Sequence, residues 1–443
     1  MGNLGPQLEE LRLVRFKSFR DAVLPLGDLA LLIGRNGSGK SNAIDGLQAL
    51  SKLAQGEDVR DAIEGNRREG PEIRGGARGC APFGESEFAL GCRVRAGEET
   101  VDLDVTIQVD PDVQIVAERL WCHDEGTERV LLATEPAEPG RADILARYDN
   151  GKRGPNPGVL FRSSRLLTTQ VATKLPTEAK LAVEAGALTR VHRLADAVIA
   201  ALRAVFVLDP VPALMRQYVP VRDTLLRRQG DNLSAAVGAL RGDPDTWNRF
   251  RDLVESLPEQ PVDAVVIESS SLGDVIIALE ERLGSRGVPV SARVMSDGML
   301  RFLAFATALL GTPRRDADLE GSEAYTMLVI EEIENGLHPS QAARVVELIR
   351  DESRRRRVHT LATTHSPALL SALPADDHAG VVVCDRDPNT GVSRLRRLVS
   401  LPAYPRAMAA GELGDAVTKL RLEDVIDAES ALGRLDSVLA SRG

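Results

Sequence analysis

The chain has 443 residues, of which 55 are Lys or Arg and 65 are Asp or Glu, so its formal net charge is -10. This acidic balance excludes a generally basic surface that coats nucleic acid, so we expect any contact with DNA to be local. The four cysteines lack C-x-x-C spacing and predict no metal site. No apolar run approaches the ~18 residues that span a bilayer, and no signal segment is evident at the N-terminus. We therefore expect a cytoplasmic protein without a membrane partner.

The N-terminal segment predicts a strand, a loop and a helix, in that order. Its opening, "LEELRLVRFKSFRDAVLPLGDLALLIG", alternates apolar and polar residues and ends in a continuous apolar run, as in an edge hairpin that leads into a buried strand. After the loop, Ile44, Leu47, Leu50 and Leu53 recur at three-residue spacing, which is compatible with one face of a helix. Residues 60–85 are rich in Gly, Arg and Pro without an apolar period, so we expect an exposed loop there.

Two different patterns fill the middle of the chain. From residue 86 to 150, short alternating segments such as "TVDLDVTIQV" are separated by Gly, Asp or Pro, which predicts an antiparallel β lobe. We expect a mainly helical insertion over 151–289, because the Ala/Leu-rich stretch 176–203 and "NLSAAVGALRGD" have little strand character. No heptad repeat persists over several turns, so the sequence predicts no long coiled coil.

The last third of the chain returns to alternating strands and helices. Apolar runs in "AYTMLVIEEIENGLHP", "VHTLATTHSP" and "GVVVCDRD" end in charged or hydroxyl residues, as parallel strands do when their carboxyl ends carry the chemistry. The sequence therefore predicts an α/β fold whose core is formed by residues 1–55 and 290–410. A C-terminal helical tail is expected over 411–443.

The loop "GRNGSGKSN" matches the pattern G-x-x-x-x-G-K-[ST] between a predicted strand and a predicted helix. Glycines allow successive backbone N–H groups to curl around phosphate oxygens, and the helix N-terminus adds positive potential. In this motif Lys40 reaches the terminal phosphates and Ser41 can ligate Mg²⁺. The predicted nucleotide-binding residues are Asn36, Gly37, Ser38, Gly39, Lys40, Ser41 and Asn42. The alternative is a glycine turn with a chance lysine.

Two neighbouring acids end the apolar strand in "TMLVIEEIENGLHP". One carboxylate at such a strand end can hold the water shell of Mg²⁺, while its neighbour polarises the water that attacks the γ-phosphate. We predict the first role for Glu331 and the second for Glu332. The alternative is that both acids are a solvated helix start.

A histidine follows another short apolar strand, in "LATTHSPALL". A neutral imidazole at this position can hydrogen-bond the γ-phosphate or the attacking water. We therefore predict a catalytic role for His365, with a purely structural histidine as the alternative.

These three elements, in this order, resemble the P-loop, Walker B segment and switch histidine of ABC-type ATPases. Within that class the sequence is most similar to SMC/RecF-like bacterial ATPases, including the ATPase module of the overcoming-lysogenization-defect family and related AAA-type ATPases. The likeness is carried by "RFKSFRD", "GRNGSGKSN", "EEIENGLHP" and "TTHSPALL", and it covers residues 8–55 and 290–400 well. The resemblance implies an ATPase head that uses ATP and Mg²⁺.

The resemblance also implies a role for the segment "MSDGMLRFLA". In this class the signature segment contacts the γ-phosphate that a second copy binds, so Ser296, Asp297 and Gly298 are expected to act in trans. Asp297 occupies a position where glycine is frequent, and Glu331 replaces the commoner aspartate. The alternative for Ser296 is an N-cap of the following helix, which is compatible with the trans role.

Relatives that carry a Toprim domain are nucleases, and Asp385 and Asp387 in "CDRD" have the D-x-D spacing of a Toprim metal site. Too few residues follow this pair for that whole domain. A turn at a strand end is therefore the favoured interpretation.

The resemblance implies an ATPase whose two copies form a homodimer through bound ATP. Hydrolysis of the ATP then releases the two copies from each other. It further implies a role in DNA maintenance or anti-phage defence with a separate effector such as a nuclease, and it leaves direct DNA contact open. The alternative is an ATP-binding sensor or scaffold with little turnover that regulates a separate effector. The energising subunit of a transporter is disfavoured by the long middle insertion and the altered signature.

Overall fold

The fold is built on one large mixed sheet, to which fourteen described strands contribute. The computed structural model describes residues 5–65, 73–124, 126–137, 140–175, 186–256, 262–283, 286–311, 326–335, 341–356, 358–402, 404–409 and 413–414. Within these ranges, no helix is both long enough and apolar enough to cross a bilayer. The expected tail over 411–443 lies outside the described residues apart from 413 and 414.

Five strands at one end of the sheet are parallel. They are β3 (Leu29–Ile33), β10 (Val205–Leu208), β15 (Thr326–Ile330), β16 (Val358–Thr364) and β17 (Val381–Arg386). Their order in the sheet is β10, β15, β16, β3, β17, and every residue of β3 and β16 is buried. Parallel strands that are covered on both faces read as continuous apolar runs, which is the pattern of the sequence here. The predicted α/β fold class is confirmed.

The remainder of the sheet is mainly antiparallel. Its strands are β1 (Gln7–Phe16), β2 (Phe19–Pro25), β4 (Glu87–Ala96), β5 (Glu99–Gln108), β6 (Gln114–Asp124), β7 (Thr127–Thr134), β8 (Asp143–Tyr148), β9 (Gly158–Arg162) and β18 (Ser393–Arg397). Strand β18 pairs antiparallel with β17 and reaches β2, so it joins the two parts. The antiparallel strands therefore extend the core sheet, and the division of the chain into domains stays a prediction.

One face of the sheet is covered by helices that belong to its first hydrophobic cluster. These helices are α1 (Lys40–Ala54), α2 (Val59–Glu64), α3 (Val171–Lys174) and α4 (Ala187–Arg203). Ile44, Leu47, Leu50 and Leu53 of α1 are all buried. Fully burying each such side chain contributes roughly 1.5–3 kcal/mol, so α1 is held firmly beneath the loop that precedes it.

The opposite face is covered by a second cluster of helices and a small sheet. The helices are α5 (Pro212–Met215), α6 (Leu233–Ala239), α7 (Pro244–Glu255), α8 (Asp297–Gly311), α9 (Ala342–Arg356), α10 (Pro367–Ser371) and α11 (Tyr404–Ala409). The small sheet contains β11 (Val219–Pro220), β12 (Val262–Ser269), β13 (Asp274–Leu283) and β14 (Arg286–Ser291). Residues of β3 alternate between the two clusters, as the pleat of a strand requires.

The stretch 151–289 is less helical than its composition predicts. It contributes β9 and β10 to the large sheet and β11, β12 and β13 to the small one. The segments "VDAVVIES" and "DVIIALEERL" are rich in β-branched residues, which favour strands, and "VFVL" is too short to show a helical period. Pairing with β15 makes this last segment a core strand, in agreement with its content of Val and Phe.

Residues 60–85 are not simply an exposed loop. Helix α2 covers their beginning, and beyond the undescribed residues 66–72 the side chains of Ile73, Ala77 and Cys80 are buried. The carbonyl oxygen of Cys80 accepts a hydrogen bond from the backbone N–H of Lys17 at 2.7 Å. Three isolated apolar residues among Gly and Arg show no sequence period, so the burial of this segment could not be read from the pattern.

A buried carboxyl group of β6 holds the 3-10 turn that follows β9 against the sheet. Glu118 of β6 accepts hydrogen bonds at 2.6 Å from the backbone N–H groups of Leu167 and Thr168 and from the Thr168 hydroxyl. These residues begin a 3-10 turn over Leu167–Gln170, whose first amides have no partner within the turn. Burial raises the pKa of Glu118 to about 7, against the effect of these hydrogen bonds.

Glu118 should make the protein less stable as the pH rises. Above about pH 4.5 the unfolded chain releases this proton, whereas the folded chain keeps it until about pH 7. Across that window the free energy of unfolding should fall by about 3 kcal/mol, since each pKa unit corresponds to about 1.4 kcal/mol. In urea melts between pH 4.5 and 7.5, the free energy of unfolding of Glu118→Gln should lack this fall with pH. The control variant Glu98→Gln, changed at an exposed position, should show the same fall as the wild type. Identical pH slopes for the wild type and Glu118→Gln would contradict the assignment.

Candidate functional site

The loop between β3 and α1 is shaped by three glycines with positive φ. Gly34, Gly37 and Gly39 have φ values of 151°, 78° and 117°, a region that other residues rarely adopt. A Cβ atom on Gly34 would lie 2.1 Å from the carbonyl oxygen of Cys384, and one on Gly39 would lie 2.6 Å from Ser393 Oγ. Two of the glycines are therefore required by close contact with β17 and β18 as well as by backbone conformation.

Hydrogen bonds with β17, β18 and the turn between β1 and β2 hold this loop in place. Ser393 Oγ donates to the Ser38 carbonyl at 2.5 Å, and the Cys384 thiol donates to the same oxygen at 3.4 Å. Asn42 Nδ2 donates to Ser18 Oγ at 2.8 Å, so this predicted nucleotide contact also anchors α1 to the turn between β1 and β2. Ser18 and Ser393 were not predicted, because single serines in a turn and a strand carry no distinctive spacing.

Lys40 lies folded over the loop. Its Nζ donates to the carbonyl oxygens of Gly34 at 2.8 Å and Arg35 at 3.0 Å, and its side chain is largely buried. Burial lowers the pKa of the Lys40 ammonium, and the nearby carboxylates oppose that shift. The ammonium group thus stands at the centre of the predicted phosphate cradle.

Ser41 and Glu331 meet although 290 residues separate them in the chain. Ser41 Oγ donates to Glu331 Oε2 at 2.7 Å. The other oxygen of Glu331 accepts from Arg74 Nη2 at 2.7 Å, and Arg74 Nε also donates to Asp45 at 3.1 Å. Lys17 Nζ bonds the second Asp45 oxygen at 2.5 Å. Sequence reasoning missed Arg74, Lys17 and Asp45, since their partners become neighbours only in the folded chain.

Among the described residues 326–335, Glu332 alone has a positive φ, at 51°. Its backbone N–H donates to Thr363 Oγ1 at 2.7 Å, and its carboxylate accepts a hydrogen bond from the Asn335 amide. A non-glycine residue in this region costs of order 1–3 kcal/mol and persists only where its surroundings impose it. Such strain is concentrated at functional sites, which supports the interpretation of Glu332 as more than a solvated helix start.

His365 follows β16 and lies beside the same cleft. Its backbone N–H donates to Glu334 of the Walker B segment, which fixes the two strand ends to each other. Burial and the positive charge of Lys40 lower the pKa of His365. The imidazole is therefore neutral at pH 7, the state assumed in the sequence-based prediction.

These groups line one cleft of about 270 Å³. Its lining residues are Asn36, Gly37, Gly39, Lys40, Ser41, Asn42, Glu331, Glu332, Thr363, His365 and Arg386. Ser38 lies behind the loop, buried, and its hydroxyl has no hydrogen-bond partner among the described residues. A second cleft, of about 300 Å³, is lined by residues at the opposite edge of the sheet and contains none of the predicted site residues.

The predicted signature segment lies outside this cleft. Ser296 Oγ accepts from the backbone N–H of Met299 at 3.1 Å, so Ser296 does cap α8. Arg216 Nη2 donates to the Met295 carbonyl at 2.9 Å and to Asp297 Oδ1 at 2.6 Å. Among the described residues, Ser296, Asp297 and Gly298 do not line the cleft of their own chain.

In the described part of the chain, the two acids of "CDRD" belong to no cluster of three or more acidic, His or Cys side chains that could hold a metal ion. Asp385 pairs with Arg396 at 3.1 Å, while Asp387 pairs with Arg394 and accepts two backbone N–H groups of the turn between β17 and β18. The interpretation as a strand-end turn agrees with this geometry, because both carboxylates are engaged within the hairpin.

Three solved structures are similar to the chain at low identity. The Smc head bound to the C-winged helix domain of ScpA is 14% identical with a TM-score of 0.45, covering 88% of this chain and 97% of that one. The SMC head domain from Thermotoga maritima is 14% identical with a TM-score of 0.36, covering 88% and 98%. A Pyrococcus furiosus Smc head with an extended coiled coil, bound to the C-terminal domain of ScpA, is 12% identical with a TM-score of 0.43, covering 88% and 96%. A comparison with curated proteins gives no match.

The sheet, its glycine loop and the acids at the strand ends define a P-loop protein of the AAA class. A family model described as "AAA domain, putative AbiEii toxin, Type IV TA system" matches residues 29–371, well over half of the chain. The chain belongs to this family. The resemblance to AAA-type ATPases that the motifs indicate is confirmed.

Replacement of Gly34 by Ala should weaken ATP binding by the loop. The new Cβ would collide with the Cys384 carbonyl, so the loop or β17 must move. We expect Gly34→Ala to bind ATP at least about tenfold more weakly, a loss of about 1.4 kcal/mol or more. Gly56→Ala is the matched control, since Gly56 has a φ of 84° but open space around its Cβ position. Equal ATP affinity in the two variants, measured by calorimetry, would refute the proposed contact.

Proposed function

We propose that the chain binds ATP and Mg²⁺ in the cleft at the end of the core sheet and hydrolyses the terminal phosphate. The observation that carries this proposal is the convergence of Lys40, Ser41, Glu331, Glu332 and His365 around one cleft. They come from three separate parts of the sequence and are brought together because β3, β15 and β16 are parallel and end at one edge. Family membership supports the same class of activity.

Phosphate binding is assigned to the loop and the start of α1. The three glycines with positive φ allow successive backbone N–H groups to curl around phosphate oxygens, and the N-terminus of α1 contributes a partial positive charge. Lys40 exchanges its bonds to two loop carbonyls for bonds to phosphate oxygens, which requires only rotation of its side chain. Both the neutral and the charged donors of the cradle are thus in place before the nucleotide arrives.

The metal is assigned to Ser41 and Glu331. Hydroxyl and carboxylate oxygens are the ligands that Mg²⁺ prefers, and the 2.7 Å contact between Ser41 Oγ and Glu331 Oε2 places one of each at the same point of the cleft. The residues present therefore fit the ion. When bound, Mg²⁺ neutralises phosphate charge during transfer.

Hydrolysis is assigned to Glu332 and His365. The oxygen of a water molecule forms a bond to the terminal phosphorus, the bond from that phosphorus to the ADP oxygen breaks, and Glu332 accepts the proton that the water loses. Thr363 and Asn335 fix the backbone and the carboxylate of Glu332 for this step. The neutral imidazole of His365 donates its N–H to a γ-phosphate oxygen.

We further propose that the site is completed by a second copy of the chain. The signature residues stand outside the cleft of their own chain, and Arg216 holds their backbone in a defined conformation. A second copy facing the first would present Ser296 to the bound γ-phosphate, so ATP would join the two chains. This nucleotide-dependent dimer would drive or gate a separate effector, such as a nuclease, in DNA maintenance or antiviral defence. The contact with DNA would be local, because the chain is acidic.

A sensor or scaffold with little turnover is the second candidate. It is favoured by the contacts of Glu331, each of whose oxygens already accepts a hydrogen bond from Ser41 or Arg74. It is also favoured by Asp297, whose carboxylate is engaged by Arg216 instead of standing free for a second copy. Turnover of the purified chain, alone and with DNA, separates the two candidates.

Glu332→Gln should separate binding from chemistry. The amide preserves size and hydrogen bonding but cannot accept the proton from water, and a catalytic base typically supplies ~10²- to 10⁴-fold. Calorimetry should show ATP affinity near that of the wild type, while steady-state phosphate release should fall by that factor. Glu347→Gln is the matched control, since Glu347 lies exposed on α9, where it pairs with Arg344, and does not line the cleft. Phosphate release at the wild-type rate in Glu332→Gln would reassign the base.

The shared site predicts complementation between two inactive variants. Lys40→Ala removes the cradle cation, and Ser296→Arg blocks the signature contact with the second copy, so each variant alone should lack turnover. A mixture can form a heterodimer with one intact composite site, pairing the wild-type Lys40 of one chain with the wild-type Ser296 of the other. The mixture should therefore recover part of the ATP hydrolysis rate, provided that one site can hydrolyse ATP without the other. The trans model would be wrong if Ser296→Arg stayed monomeric by light scattering under saturating ATP and still hydrolysed it at the normal rate.

A further inference from the structure

Arg386 is the one residue of the cleft lining that neither the loop motif nor the Walker B and histidine segments account for. It is the last residue of β17 and lines the cleft together with Asn36, Gly37 and Lys40. We propose that Arg386 is a phosphate-binding residue, a second cation that holds the phosphate chain of the nucleotide from the side of β17. This inference rests on the proposed nucleotide site and adds a residue to it.

The position of Arg386 follows from the pleat of β17. The thiol of Cys384 contacts the Ser38 carbonyl of the loop, and side chains two residues apart point to the same face of a strand. Arg386 therefore stands on the face that carries the loop, one step of about 6–7 Å beyond that contact. This places its guanidinium past the loop, at the mouth of the cleft.

The neighbouring acids of the β17–β18 hairpin pair with other arginines and not with Arg386. Asp385 pairs with Arg396, and Asp387 pairs with Arg394, so the neighbouring charges cancel in pairs. Arg386 forms no ion pair with any residue that the structure describes. Its Nε donates to the Gly391 carbonyl at 2.7 Å, while its two terminal amino groups have no hydrogen-bond partner in the described part of the chain.

The turn between β17 and β18 orients the Arg386 side chain before any phosphate binds. Asp387 Oδ1 accepts the backbone N–H groups of Asn389 and Thr390, each at 2.9 Å, and Gly391 N donates to the Asp387 carbonyl at 2.8 Å. A turn closed by three such bonds holds the Gly391 carbonyl still, and that carbonyl fixes one edge of the guanidinium. The opposite edge carries the two amino groups that can bind phosphate oxygens in the bidentate manner typical of arginine.

The negative charge of the cleft lining and of a bound polyphosphate also favours a second cation. Glu331 and Glu332 contribute two carboxylates to its lining, of which Glu331 is paired with Arg74, and Lys40 contributes one positive charge. A polyphosphate adds further negative charge at the same place. Arg386 lies on the side of the loop away from β15 and β16, because β17 and β16 flank β3 on opposite sides. It can therefore offset phosphate charge without neutralising the acids assigned to the metal and to water.

The test is nucleotide binding by the full chain, measured by calorimetry with Mg²⁺ and ATP and by competition with inorganic tripolyphosphate. Arg386→Gln should weaken both ligands about tenfold, since a charge-assisted contact is lost. Arg386→Lys should lose less, because the ammonium keeps the charge but not the two-pronged geometry. The matched control is Arg397→Gln, an exposed arginine of the same hairpin that lies at the opposite edge of the sheet. It changes net charge equally and should bind like the wild type.

Each other outcome has a defined meaning. Wild-type affinity in Arg386→Gln, with Lys40→Ala still defective, would overturn the inference and leave the proposed function standing. An equal loss in Arg386→Gln and Arg397→Gln would reduce the effect to net charge and also overturn it. A loss for ATP without a loss for tripolyphosphate would move the contact to the nucleoside, against the proposal. Absence of ATP binding by the wild type would remove the proposed function and this inference together.

Discussion

The close packing of the glycine loop against the β17–β18 hairpin is the constraint on which the site depends. At Gly34 there is no room for a Cβ atom beside the Cys384 carbonyl, and at Gly39 there is little beside Ser393. The loop is therefore pressed into its curved form by a neighbouring strand pair and does not rely on its own conformational preference alone. Because β17 also pairs with β3, the support and the loop are parts of one sheet.

A network of charges connects α1, the helix that follows the loop, to Glu331. Asp45 of α1 is almost fully buried and is bonded by both Lys17 and Arg74, and Arg74 continues to Glu331. Burying such charges costs free energy unless each is paired. Loss of one partner would therefore leave an unpaired charge in the low-dielectric interior of the protein. The turn after β1, the segment around residue 74 and the end of β15 are thereby fixed to one another.

The core and the main site residues could be predicted from sequence because their signals are local. A glycine pattern between a strand and a helix, two acids after an apolar run and a histidine after another each stand within a few residues. Parallel pairing then explains why these distant segments meet. The strands β10 and β12 were missed because periodicity alone cannot assign such short apolar runs, and the Ala/Leu-rich segments around them favoured a helical interpretation of the whole stretch. Arg74 and Arg386 were missed because an arginine acquires its role only from the fold, through Glu331 in one case and the cleft in the other.

The central claim is that this glycine loop is a nucleotide site whose cation is Lys40. Its most direct measurement is an equilibrium titration of the wild type and Lys40→Ala with ATP in the presence of Mg²⁺. The account predicts saturable binding by the wild type with one ATP per chain. It predicts an affinity about a hundredfold lower in the variant, because a charge-assisted contact with the phosphates is lost, and a thermal melt of each protein checks that both are folded. Equal affinities in the two proteins would show that the phosphates bind elsewhere, and the account would then be wrong.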